Sequence, residues 1–270
     1  MKKWDSHFQL GDTVTAEQLD FFDKHGVIVF RNFISKENVA TYISEFKRLE
    51  ALWLEEGRDK VNGIPLKFGK DEAGNKTIQR LCFSSLYSDP LHALLEDPRL
   101  TELKAFLSPY EGRIAENEKD GLVINNYINT PNSTFTQMGW HTDSPRDLFL
   151  GQKIMPMLNV GIHLDDCAYE NGGLRVIPGT HKQNMLKLLF GKKYFIDNND
   201  DTREVGFDLN AGDLSVHDGR LWHRVKQSPK FGEESRRRVM YVPMVTGKYK
   251  PKHEHSNTPF YHRFTGKVHH

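Results

Sequence analysis

Apolar positions recur along this chain with two different periods, and the change from one to the other divides it. From Thr15 to His25 the spacing predicts a helix, with Leu19, Phe21 and Phe22 apolar and Thr15 placed to cap ahead of Glu17 and Gln18. Gly26 stops it, and Val27-Ile28-Val29-Phe30 reads as a short strand of β-branched and aromatic residues. Ser35 is placed to cap a second helix running to about Glu56, with Val39, Ile43, Phe46 and Leu49 at helical spacing. Residues 57–77, where Gly57, Gly63, Pro65, Gly69 and Gly74 interrupt alternating charges, are expected to form a loop. A further helical stretch spans Leu91 to Leu107 and breaks near Asp97-Pro98.

From about residue 121 the pattern becomes short apolar runs punctuated by Gly, Asn, Asp and Pro. Expected strands are Leu122–Ile128, Gln137–His141, Leu158–Leu164, Leu174–Ile177, Asp213–His217, Trp222–Val225 and Arg238–Val245. Many short strands with turn signals between them argue for a sandwich or barrel, with the earlier helices buttressing its outside. We find no internal repeat and no low-complexity linker. The expectation is one domain over 1–270: a helical part at about 15–107, a β core at about 121–245 and a tail at 246–270. The tail, rich in Lys, His, Pro and Thr, is either a solvated extension or an arm over the barrel mouth.

A chain of 270 residues is long enough to bury a full core without staples. Lys plus Arg number 37 and Asp plus Glu 36, so nothing in the charge suggests a grip on nucleic acid or an anionic membrane. Cys82 and Cys167 form neither a disulfide framework nor a ligand spacing, which fits a reducing compartment. No apolar signal core follows the N-terminus, and no stretch approaches the roughly 20 apolar residues that span a bilayer. The expectation is a soluble, cytoplasmic protein, with no protein partner indicated.

The chemistry concentrates at Trp140-His141-Thr142-Asp143-Ser144 and at Leu221-Trp222-His223-Arg224. Residues two apart on a strand face the same way, so His141 and Asp143 can reach one metal while Thr142 points away. With a distant second His they would supply two imidazoles and a carboxylate, the facial set that leaves three octahedral positions open and suits Fe(II) enzymes that use dioxygen. Spacing alone does not choose this pair, because His163-x-Asp165 has the same form.

The surroundings carry more. Gly139-Trp140-His141-Thr142-Asp143 resembles the metal motif of the phytanoyl-CoA dioxygenase family, which also includes ectoine hydroxylase-type enzymes. The segment from Leu164-Asp165-Asp166 through Gly172-Gly173-Leu174-Arg175-Val176 to Pro178-Gly179-Thr180-His181-Lys182 resembles that family's central block. Ala211-Gly212-Asp213 through Leu221-Trp222-His223 resembles the strand that carries the distal ligand, and Gly26 through Ser35 resembles the opening helix-strand-helix. Four ordered blocks cover about residues 15–245, and their conjunction is specific where each alone is not.

The resemblance implies a double-stranded β-helix, a jelly-roll of cupin type, holding Fe(II) and consuming 2-oxoglutarate and O2. It implies His141 and Asp143 as proximal ligands and His223 as the distal one, with His217 as the rival for that place. His163-x-Asp165 and His181 fall in segments the family uses structurally. The cosubstrate's far carboxylate calls for a permanently charged bidentate partner. Within Arg236-Arg237-Arg238 the family pattern matches Arg237; Arg236 and Arg238 remain the alternatives. Asn126, with Gln137 as a weaker candidate, would be an amide donor to the cosubstrate. The reaction implied is hydroxylation of an unactivated C–H bond, or desaturation or cyclisation, with release of succinate and CO2. Related halogenases lack the carboxylate that Asp143 supplies. Arg146, Arg80, Arg220, Trp140 and Trp222 are candidate pocket residues, while the spacing of His253, His255, His262, His269 and His270 fits no compact metal site. The rival reading is a barrel of the same type that is non-catalytic, binds another metal or only a small acid, or works as a cupin-type isomerase.

Overall fold

The computed structural model describes residues 2–5, 7–131, 133, 135–149, 151 and 153–259, and of Arg146 and Phe149 the backbone alone. Two sheets face each other. The larger runs in the order Val27–Phe30, Leu214–Asp218, Met157–His163, Arg237–Val245, Val123–Tyr127, Lys76–Leu81 and Lys67–Lys70. The smaller runs Lys2–Lys3, Val205–Gly206, Gly173–Val176, His223–Lys226 and Met138–His141. From residue 123 onward successive strands mostly cross from one sheet to the other, and among the described residues these later strands pair antiparallel with one another. This is the jelly-roll core, buttressed by the N-terminal helices.

The helices form where the caps foretold. Thr15 and Gln18 make a reciprocal capping box at Ala16–His25, and Gly26 at φ 75° closes it. Ser35 caps Lys36–Glu55, which buries Val39, Tyr42, Phe46, Leu49 and Trp53. These side chains pack on Ile124, Leu158, Val160, Ile162, Leu214, Val216, Met240, Val242 and Met244, the outward face of the large sheet. Strand alternation therefore turns Asn125, Tyr127, Asn159, Gly161, His163, Ser215, His217, Arg237, Val239 and Tyr241 to the interior. An apolar core on one side and a more polar interior face on the other follow from one alternation.

Residues 57–77 are not a loop. They hold Lys60–Val61, Ile64–Pro65, Lys67–Lys70 and the start of Lys76–Leu81. Asn62 (φ 48°) and Gly63 (φ 80°) form a tight turn between the first two strands, and Asp71 Oδ1 accepts from Asn75 N around Gly74 between the last two. The glycines there mark hairpin turns, and the strands between them are too short to show a period. The third helical stretch begins earlier than expected, at Asp89 under a Ser88 cap, and breaks at Asp97-Pro98 as predicted. Two short helices, Pro145–Phe149 and Met185–Phe190, had no periodic signal.

The described tail lies against the body: Thr246 Oγ1 donates to Pro156 O at 2.7 Å and Tyr249 Oη to Asp147 Oδ1 at 2.7 Å. His262, His269 and His270 fall outside the described residues. Both cysteines are free and buried. Among the described residues, no helix is long and apolar enough to cross a membrane.

Leu49 sits at the centre of the helix-sheet contact with no exposure. Leu49→Ala should lower the unfolding free energy by about 2–5 kcal/mol, read from urea melts, through lost transfer energy and an unfilled cavity.

Candidate active site

Met138–His141 lies beside His223–Lys226, with His223 directly opposite His141 and a bulge just beyond. Opposed residues share a face, so the imidazoles meet with ring centroids 4.1 Å apart. Past the end of the strand, Asp143 N donates to Gly219 O at 2.8 Å, which brings the carboxylate back to the histidines. Asp143 Oδ2 lies 3.5 Å from His223 Nε2. One donor atom from each of His141, Asp143 and His223 falls within 4.8 Å of the others, close enough for a single ion.

The donor set suits a metal. His141 Nδ1 is 2.8 Å from the carbonyl of Gly139, and His223 Nδ1 is 2.9 Å from that of Leu221. A carbonyl only accepts, so each Nδ1 carries the proton and each Nε2 keeps its lone pair for a ligand bond. Asp143 Oδ2 accepts a short hydrogen bond from Asn159 Nδ2, whose amide also approaches His217 Nε2 at 3.4 Å. His217 thus stands behind the carboxylate rather than in the three-residue set. Burial, and then His223, push its pKa well below the usual value and keep it neutral.

A segment without a sequence signal completes this wall. Residues 194–197 pair with the free edge of Met138–His141, through Phe195 N to Trp140 O at 2.9 Å and Trp140 N to Asp197 O at 2.8 Å. Phe195 stacks on His141 at 4.8 Å, and Tyr194 Oη meets Thr142 Oγ1 at 2.7 Å. Phe195 adopts φ 63°, a conformation a bulky residue takes only when its surroundings impose it.

The three arginines separate by alternation. Arg236 binds Glu233, and Arg238 binds Asp165 at 2.6 Å. Arg237 points inward, 4% exposed, with its guanidinium 5.6 Å over the Tyr127 ring. Its Nη1 donates to Lys226 O at 2.9 Å, its Nε has no partner, and no carboxylate pairs with it among the described residues. A buried, permanently charged group without an acid is costly until an anion compensates it.

Asn126 requires a correction. It lies on the outward face, where its Oδ1 accepts from Arg236 Nη1 at 2.9 Å. The neighbouring Asn125 faces the interior, and its Oδ1 has no partner. A one-residue step along a strand reverses the face, and the sequence carries no mark of which Asn points in. The other candidates sort in the same way. His163 Nε2 meets Ser215 Oγ at 3.0 Å, while Asp165 holds Arg238, so that pair is structural. His181 Nε2 bonds Asp23 O at 3.0 Å. Arg80 pairs with Asp120 and Arg220 with Asp218, each at 2.7 Å. Trp140 and Trp222 are buried and donate to Asn199 O and Gln183 Oε1. Gln137 is half-buried, just ahead of the His141 strand. The Arg146 side chain lies outside the described residues.

Residues 22–231 match the family described as Phytanoyl-CoA dioxygenase (PhyH). The chain belongs to that family. Among curated relatives, an ectoine dioxygenase of Bordetella parapertussis is 23% identical over 176 residues, covering 65% of this chain and 52% of the relative. A probable alpha-ketoglutarate-dependent hypophosphite dioxygenase of Stutzerimonas stutzeri is 25% identical over 166 residues, covering 62% of this chain and 53% of the relative. The chain thus spans about half the length of these relatives. Solved structures of similar fold include SnoK, a non-heme alpha ketoglutarate dependent carbocyclase from nogalamycin biosynthesis, with TM-score 0.65, 15% identity and coverage of 97% and 94%. HygX from Streptomyces hygroscopicus, solved with nickel and 2-oxoglutarate, gives TM-score 0.60 and 17% identity over 86% and 87% of the two chains. The family membership accords with the jelly-roll and with a His-Asp-His set at the meeting of the two sheets.

Burial lowers the pKa of His163 to about 4. The unfolded chain then binds a proton near pH 6.5 that the folded chain refuses until about pH 4. Stability from this group is complete above pH 6.5 and is lost between 6.5 and 4, by roughly 3 kcal/mol. Urea melts across that window should show the slope, and His163→Gln should flatten it.

Proposed function

We propose that the protein is a non-haem Fe(II)- and 2-oxoglutarate-dependent dioxygenase that hydroxylates an unactivated C–H bond of a small organic substrate. The observation that carries this reading is the pairing, within one PhyH-family barrel, of the His141-Asp143-His223 set with the buried Arg237, which has no carboxylate partner among the described residues. The first holds a metal on one face; the second takes the far carboxylate of a dicarboxylate cosubstrate. In the overall reaction, substrate, 2-oxoglutarate and O2 become hydroxylated substrate, succinate and CO2.

When bound, the iron supplies activation of dioxygen and the oxidising power for the C–H bond. The chain does the rest. His141 and His223 offer Nε2 with each ring held by its own Nδ1 hydrogen bond. Asp143 would complete the set as its carboxylate ligand, the group that related halogenases lack. Asn159, backed by His217, fixes the carboxylate rotamer. Arg237, buried at 4% exposure, would orient the cosubstrate by a charge-assisted contact to its far carboxylate. Asn125 is the amide best turned to assist it.

The test is anaerobic loading with Fe(II) and 2-oxoglutarate, followed by oxygen and a panel of candidate substrates. Succinate release and a mass gain of one oxygen atom from labelled O2 are expected. Absence of any 2-oxoglutarate-dependent oxygen uptake, coupled or uncoupled, overturns the proposal. His141→Ala, Asp143→Ala and His223→Ala should each abolish stoichiometric metal binding in equilibrium dialysis, while His217→Ala retains it. Arg237→Ala should keep its metal and raise the KM for 2-oxoglutarate by about a hundredfold, the loss expected for a desolvated ion pair worth roughly 3 kcal/mol.

A further inference from the structure

Lys67 opens the strand Lys67–Lys70 and stands directly opposite Arg80, which is opposite Asn125, which is opposite Val239, which is opposite His163. Directly opposed residues share a face, so this row places Lys67 on the interior face of the large sheet. Its ammonium lies 4.4 Å over the ring of Phe135. Phe135 in turn stacks on Tyr127 at 4.9 Å, and Tyr127 carries the guanidinium of Arg237 on its ring. Phe135 and Tyr127 pack with Met138 and Val225, which come from the two strands that carry His141 and His223. Lys67 and Arg237 are therefore cations at opposite ends of one aromatic stack, beside the strands of the metal set.

The charge at Lys67 is not balanced. No carboxylate pairs with it among the described residues, whereas Arg80 beside it has Asp120. Burial first, and then the like charge of Arg80, push its amine down to about 7. Lys70 and Lys76 on the same hairpin are exposed. An alkyl side chain would cover Phe135 equally well without a desolvated amine. A lysine held here at a cost in stability is of use if an anion arrives.

We propose that Lys67 anchors an anionic group of the substrate, a carboxylate or a phosphate, at a subsite distinct from the cosubstrate carboxylate at Arg237. The inference rests on reading this barrel as the catalytic chamber and narrows the substrate class: a small acid, oriented by its charge, rather than a neutral hydrocarbon. The two cations divide the work, Arg237 taking the dicarboxylate cosubstrate with its rigid fork and Lys67 taking the substrate with a point charge.

The experiment is calorimetric titration of the Mn(II)-loaded protein, saturated with 2-oxoglutarate in the absence of oxygen, with acetate and separately with inorganic phosphate. One saturable site is expected for at least one of them, and the tighter anion names the source. Lys67→Met should weaken that binding about tenfold or more, Lys67→Arg should stay within about threefold of the parent, and Lys70→Met should leave it unchanged. The 2-oxoglutarate affinity, titrated first in every variant, should not move. Circular dichroism melts establish that each variant is folded, and Lys67→Gln stands in if Lys67→Met is not. The proposal is overturned if the parent protein takes up neither anion saturably, if the neutral variant binds as the parent does, or if anion and 2-oxoglutarate binding fall together, which would put Lys67 in the cosubstrate site. Lys67-dependent anion binding in a protein without affinity for 2-oxoglutarate would sink the dioxygenase reading and leave the anion site standing.

Discussion

The pairing of His223 with His141 across two antiparallel strands is the constraint on which the site depends. Once those residues stand opposite each other, both imidazoles leave the sheet from the same side, and the distance between them is a property of strand spacing rather than of loop conformation. Asp143 then needs only the turn after His141, which the hydrogen bond from its amide to Gly219 provides. A one-residue slip in either strand would send one imidazole to the opposite face. The bulge beyond His223 and the edge segment carrying Tyr194 and Phe195 protect against that slip, by breaking the ladder on one side and extending it on the other.

A second regularity is the division of charge. Arg236 and Arg238 face acids, Glu233 and Asp165, while Arg237 between them faces the chamber without one. Arg80 has Asp120, and Lys67 opposite it has no acid among the described residues. On the outward side of the same strands the contacts are aliphatic and close against Phe46, Leu49 and Trp53. The large sheet thus holds stability on one face and uncompensated positive charge on the other. The rigidity of the first keeps the second in place.

The elements with their own periodicity or caps were legible from residues alone. Thr15 with Gln18, Ser35 and the Asp97-Pro98 break all mark real boundaries, because capping is settled by hydrogen bonds within a few residues. The hairpins at 57–77 were not legible, since strands of two to six residues are too short to carry a period and their glycines read as loop until the partners are known. The sequence favours Asn126 as the amide donor, yet Asn125 occupies the inward face, and nothing in the dipeptide distinguishes them. Phe195 had no signal at all: its role comes from being folded onto an edge that the sequence does not place beside it.

What the sequence determined by itself is therefore the inventory. Four ordered motif blocks, helices before strands, near-neutral charge and three candidate metal ligands belong to it, because each is a matter of residue type and order. What only the tertiary structure decided is direction. Register chose the inward arginine of three and the inward asparagine of two, put His217 behind the carboxylate, and set Lys67 over Phe135 on the interior face of the large sheet. Side chains in a strand alternate with every residue, so function at such a site turns on pairing between segments far apart in the chain. That pairing is settled by the packing of the whole barrel and by no local run of residues.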